Sequence, residues 1–316
     1  MKRFFVFLLL LFPVLLYPKQ TLLDAVKKGD LKFIESYKGD IDESLDKNGT
    51  TALIMASEIG NISVIKALLK LNADIDYVDN AGKTALMFAS EKGNADAVRV
   101  LISSGADVEA VDKDENNPLM YASQKGNTNI IHQLIEAGAK VFFQNKNGYT
   151  ALMIAAKNGK LGAVQVLIFN EADVNELTGD PVNNDYEANF NESALMIAAM
   201  NGHVEVVKEL IKAGADLGLA WGTAKETILM FAAEKGHANV VKALIEGGAK
   251  INAEDTFKKT ALMYAVEGIN PDVVNVLIEA GADVNVIDCF DWSVIDHAYK
   301  TKNSKIINLL KKAGAK

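Results

Sequence analysis

The sequence predicts an all-α solenoid of about nine helix-turn-helix repeats, joined by β-turn or hairpin loops and preceded by a short apolar leader. Three observations carry this. The motif Thr84-Ala85-Leu86-Met87-Phe88-Ala89 recurs from Thr51 onward at intervals of 33, 33, 33, 43, 34, 33 and 33 residues, and a fixed period of this length marks stacked repeats. Counting a shorter first copy near Gln20, the residue five places after the start is Ala in all nine copies, and Gly stands nine places after the start in seven of them. The composition, 49% hydrophobic and 23% charged, excludes a disordered, collagen-like or multi-span membrane chain.

Residues 1–19 stand apart from the repeats. Met1-Lys2-Arg3 precedes an apolar run from Phe4 to Tyr17. As a helix this run reaches about 21 Å, short of the roughly 30 Å of bilayer hydrocarbon. A basic start, a short apolar run and a polar sequel read as a signal peptide. The exit, Leu15-Leu16-Tyr17-Pro18-Lys19, lacks the small residues of a usual cleavage site, and no Ala or Gly precedes Ala25. The alternatives are a retained N-terminal anchor and an apolar helix capping the fold. Export, to the periplasm or as a secreted protein, is the expectation. Lysine outnumbers arginine 31 to 2, a bias of AT-rich genomes that points to a bacterial envelope.

The repeats fill residues 20–316, at about 20–50, 51–83, 84–116, 117–149, 150–192 with an insertion, 193–226, 227–259, 260–292 and 293–316. Each carries the same instructions. The opening Thr or Ser caps a helix by accepting a backbone N–H. The invariant Ala, from Ala25 and Ala56 through Ala298, lets two helices approach closely. The following Gly, as at Gly60, Gly93 and Gly202, ends the first helix in a left-handed conformation at no Cβ cost. Apolar pairs at helical spacing follow, such as Val206, Val207, Leu210 and Ile211. Gly214-Ala215-Asp216-Leu217 and its counterparts close the second helix, and polar turns such as Asp79-Asn80-Ala81-Gly82 lead to the next start. A lone repeat cannot bury enough apolar surface to offset the ordering of its backbone, so neighbours must stack. The last copy interleaves Lys305, Asn308, Lys311 and Lys312 with apolar residues, as a terminal repeat with a polar outer face would.

These motifs resemble the ankyrin repeat over residues 20–316. That family is usually written Thr-Pro-Leu-His-x-Ala-Ala at the first helix and Gly-Ala-Asp-Val-Asn after the second. Val174-Asn175, Ile251-Asn252 and Val284-Asn285 match the tail. The departure is Ala-Leu-Met for Pro-Leu-His, which places Met87, Met120, Met153, Met196, Met230 and Met263 at one repeat position. Coincidence with a structural position makes this stripe core packing rather than a ligand ladder. The resemblance implies a protein-binding scaffold whose turns and first helices form a concave recognition surface.

No catalytic constellation, phosphate loop or dinucleotide fingerprint is legible, so the expectation is a non-enzyme without cofactor or metal. His203 and His237 hold the same place in adjacent repeats, too far apart to share one zinc ion. The lone Cys289 excludes a disulfide framework and reads as a passive small residue. A net charge of −8 without a basic stripe argues against nucleic acid and anionic membranes, and favours a basic protein partner. Membrane association is expected only if the leader is retained. Tyr149, Tyr186, Phe190, Trp221, Phe257, Phe290 and Trp292 fall in or beside inter-repeat turns and are the candidate partner-binding residues. Some of them, Trp292 above all, have the alternative of packing back on the solenoid. The ten-residue excess of the fifth repeat reads as a surface insertion, a loop reaching a partner, or a break dividing the solenoid into two stacks. Its acids lack the spacing of a calcium loop.

Overall fold

The computed structural model describes residues 21–178 and 191–316. Within them the chain forms nine helical pairs. The first three are α1 (Leu22–Lys28) with α2 (Leu31–Ser36), α3 (Ala52–Ile59) with α4 (Ile62–Lys70), and α5 (Ala85–Lys92) with α6 (Ala95–Ser103). The middle three are α7 (Pro118–Lys125) with α8 (Thr128–Glu136), α9 (Ala151–Lys157) with α10 (Leu161–Phe169), and α11 (Ala194–Met200) with α12 (Val204–Lys212). The last are α13 (Ile228–Glu234) with α14 (Ala238–Glu246), α15 (Ala261–Glu267) with α16 (Pro271–Glu279), and α17 (Val294–Thr301) with α18 (Ser304–Lys312). Each odd helix packs on the next odd helix and each even helix on the next even one. The contacts α9–α11 and α10–α12 carry the stack across the insertion, so of the three readings offered for it the division into two stacks is not met.

Local chemistry sets the helix ends. Thr51, Thr84, Asn117, Thr150, Ser193, Thr227 and Ser293 each accept the backbone N–H three residues on. Thr260 makes no such bond. The Ala of every copy is fully buried, and all six methionines of the stripe lie in the core. The seventh motif position is small and buried in the stacked repeats, from Ser57, Ser90 and Ser123 to Ala233 and Val266, and becomes the exposed Tyr299 in the last.

Glycine at the end of the first helix serves two purposes. Gly236 has φ +78°, and a Cβ there would lie 2.6 Å from Asn270 Oδ1 of the next repeat. Asn270 Nδ2 donates back to the carbonyls of Ala233 and Glu234, at 3.1 and 2.7 Å. Asn94 reaches back in the same way to Ser57 and Glu58. His203 and His237 use Nε2 instead, 3.0 Å from the carbonyls of Lys157 and Met200. The missing side chain thus opens a slot for a clamp between repeats.

The turns between repeats project as fingers. An Asp, or Asn145, accepts two backbone N–H groups within its own finger, as Asp79 does from Ala81 and Lys83, both at 2.8 Å. Successive fingers bond tip to tip: Lys113 N–H donates to Ala81, Thr256 to Ala224 and Cys289 to Phe257. In the sixth repeat the finger closes as a small hairpin of β1 (Ala220–Trp221) and β2 (Glu226–Thr227).

Candidate protein-binding surface

The fingers and the exposed side of the odd helices share one surface. From the second repeat on, the fifth motif residue runs along it: Met55, Phe88, Tyr121, Ile154, Phe231 and Tyr264 form a half-buried floor, and Ile197 and His297 are buried beneath it. The finger residue just before each motif forms the wall, among them Lys83, Tyr149, Glu226 and Trp292. Lys83 Nζ lies 4.5 Å from the Phe88 ring centre and 4.1 Å from that of Tyr121, and it pairs with Glu91. Tyr149 donates its hydroxyl to Glu192 at 2.8 Å under the ammonium of Lys157. Tyr264 donates to Glu226 and Asp255, at 2.7 and 2.8 Å. His297 is buried with each ring nitrogen 2.9 Å from a carboxylate, Nδ1 from Glu267 and Nε2 from Asp288.

Burial and the neighbouring carboxylates fix the charge states of this surface. Burial first, then the bond to Asp112, pushes the Tyr121 phenol up. Burial, then Glu226 and Asp255, does the same to Tyr264, and burial with Glu192 pushes Tyr149 up to about 12. These phenols are neutral donors committed to holding carboxylates. Burial works to raise the Asp288 carboxyl, but the N–H groups of Trp292 and Phe290 and the His297 ring outweigh it and hold it below the usual carboxylate range. A cleft of about 390 Å³ opens over Tyr121, Tyr149 and Ile154, rimmed by Asn116, Gln124 and Lys157. Among the described residues, no three His, Cys, Asp or Glu side chains converge to hold a metal ion, and no helix is long and apolar enough to cross a membrane.

The sequence-derived aromatic residues separate into groups. Phe257 and Phe290, 45% and 64% exposed, stack at adjacent fingertips with ring centres 6.4 Å apart. Trp292 is 40% exposed, its ring 5.5 Å from that of His297 and 5.2 Å from Lys300 Nζ. Tyr149 is half-buried. Trp221 corrects the expectation of a surface contact, because it is only 4% exposed and packs on Phe231 with ring centres 4.4 Å apart. Its finger has one extra residue, and the resulting strand pair turns the indole into the core. Tyr186 and Phe190, like the leader, lie outside the described residues. The floor residues Phe88, Tyr121, Phe231 and Tyr264 were missed. Their signal was present: the fifth motif position varies in size and polarity between flanking positions that hardly vary.

Paired helices stacked in one direction, with fingers bonded tip to tip among the described residues, define a helical-repeat solenoid. The chain belongs to the ankyrin-repeat family, whose sequence profile, described as "Ankyrin repeats (3 copies)", matches residues 22–112, 105–178, 176–255 and 229–316. Among solved structures it is similar to the human ASB11 ankyrin repeat domain, with 24% identity and a TM-score of 0.64 over 74% of this chain and 99% of that one. At that identity the likeness speaks for the fold alone. No curated protein matches the chain in sequence. Ankyrin repeats indicate a scaffold for protein–protein interaction, and the family is generally non-catalytic.

Proposed function

We propose that this chain is an exported, non-catalytic scaffold that presents its fingers and first helices to a protein partner. The observation that supports this reading is the exposure of Phe257, Phe290 and Trp292, since large aromatic side chains anchor protein interfaces. The net charge of −8 favours a basic partner by accelerating encounter and setting specificity. The test is capture from envelope and host extracts by the full chain and by the variant Phe290→Ser/Trp292→Ala. Capture that the variant loses at an unchanged unfolding midpoint supports the reading. Equal capture by both would refute it for these residues.

The exit of the leader favours a second reading, a membrane-tethered spacer, because no small residue precedes Ala25. Mass spectrometry of the mature N-terminus decides between them: a start near residue 18–21 removes the tether. Fractionation separates an envelope-resident scaffold from an effector secreted toward a host.

A further inference from the structure

Aromatic side chains crowd the last two fingers for no reason that the turn requires. Among the described residues the fingertip reads Asn48, Ala81, Asp114, Asn147 and Ala224 in earlier repeats, and Phe257 and Phe290 in the last two. Asn48, Ala81, Asp114, Ala224 and Phe257 all accept the N–H of the next finger through their carbonyls. The bond is indifferent to the side chain, so phenylalanine there is not needed to build the ribbon.

Next to this pair lies a cleft of about 580 Å³ lined by Trp292, Tyr299, Asp291, Asp296 and Lys300. Its two aromatic faces already attract cations of this chain: Lys300 Nζ lies 5.2 Å from the Trp292 ring and Lys311 Nζ 5.5 Å from that of Tyr299. Such contacts draw on the negative face of the ring. Asp291 and Asp296 set two carboxylates in the lining beside Lys300, while Lys311 brings a second positive charge to the Tyr299 face. The hydroxyl and backbone N–H of Ser293 hold Asp296 below the usual carboxylate range, so it stays ionised near neutrality. With two acids against two lysines these rings face no net positive charge, so nothing there draws the phosphates of a nucleic acid. The carboxylates and the ring faces complement a cation that takes the place of Lys300. Lys300 is exposed, and its ammonium marks where positive charge settles on the Trp292 face.

We propose that this cleft receives an arginine or lysine side chain of a protein partner, while an adjacent apolar residue of that partner seats on the Phe257–Phe290 pair. The proposal rests on the scaffold reading above and adds the chemistry of the segment recognised: basic, with an apolar neighbour.

The chain has two tryptophans, so 5-fluorotryptophan labelling gives two ¹⁹F signals, with the buried Trp221 as internal reference. The full chain is titrated with Nα-acetyl-argininamide and with its neutral isostere Nα-acetyl-citrullinamide. The expected result is a saturable shift of the Trp292 signal alone, with the citrulline probe at least about fivefold weaker. Lys300→Ala removes the resident cation and tightens the arginine probe by about two- to fivefold, and Asp291→Asn weakens it. A leucine–arginine peptide outbinds its leucine–citrulline counterpart, and Phe257→Ser/Phe290→Ser reduces the affinity of both. Equal binding of arginine and citrulline, a matching shift at Trp221, or indifference to both Lys300→Ala and Asp291→Asn overturns the proposal. Loss of this cleft with partner capture intact leaves the scaffold reading standing, and arginine binding without any captured partner does the reverse.

Discussion

Replacing Gly236 by alanine separates the two purposes assigned to the glycine at the end of the first helix. Gly236 has φ +78°, and a left-handed conformation costs an L-residue about 1–2 kcal/mol. Alanine recovers about 0.4–1 kcal/mol of that by restricting the unfolded chain. The new Cβ would also stand 2.6 Å from Asn270 Oδ1 and 2.9 Å from its Cγ, so the side chain must leave its slot. Its bonds to the carbonyls of Ala233 and Glu234 go with it, each worth about 1 kcal/mol. The expected total is about 2–3 kcal/mol, of which about 2 comes from the lost clamp and the smaller remainder from net strain. Gly248→Ala is the control. It has φ +98° with no atom within 4 Å of the added Cβ, so it suffers the strain alone. The measurement is the urea midpoint of the full chain, with Asn270→Ala completing a double-mutant cycle. In the Asn270→Ala background, Gly236→Ala should cost no more than Gly248→Ala. Equal costs for the two glycines in the parent chain would refute the argument that close approach, and not only φ, dictates the residue.

Trp221→Ala should lower stability by about 3–5 kcal/mol, since it empties a core site against Phe231; a midpoint within error of the parent would mean that the indole is not packed there. Tyr264→Phe leaves Glu226 and Asp255 without their shared donor and should cost about 1–3 kcal/mol in the same assay. The carboxyl of Asp288 is depressed in the folded chain, so its contribution is present above the unfolded value near about 3.9 and is lost as pH falls through the folded value. Acid below about pH 4 should therefore loosen the last finger, read as a change in Trp292 fluorescence, and Asp288→Asn should abolish that pH dependence. Tyr149 behaves oppositely: its folded value is raised to about 12, so its contribution is full below the unfolded value near about 10 and fades between the two, a dependence that Tyr149→Phe removes from alkaline unfolding curves.

Much of the architecture was legible because repetition makes the sequence its own control. Thr84 and most of its counterparts cap helices, Ala89 and its counterparts are fully buried, and Met87, Met153 and Met263 fill the core as their shared position implied. Trp221 was misread because a local composition argument, an aromatic residue in a turn, took no account of the extra residue that closes this finger into paired strands. The floor of the binding surface was missed for a different reason. Phe88, Tyr121 and Tyr264 sit inside an apolar motif where they look like core, and only the stacked geometry shows that their rings are half-open and their hydroxyls, where present, are tied to finger carboxylates. The pairing of Lys83 with two successive rings likewise depends on contacts between repeats that a linear reading does not display.

At four joints the side chain after the left-handed residue that ends the first helix reaches backward, from Asn94, His203, His237 and Asn270 to the preceding repeat. Every such joint is therefore a plug and a socket with one polarity. A module duplicated or transplanted within the array would bring its own plug and offer its own socket, so new units can be spliced into this chain without redesigning their neighbours. Lengthening by tandem duplication is thus an easy evolutionary path for this molecule, provided that each added copy keeps a bare backbone at one position and an amide or imidazole at the next.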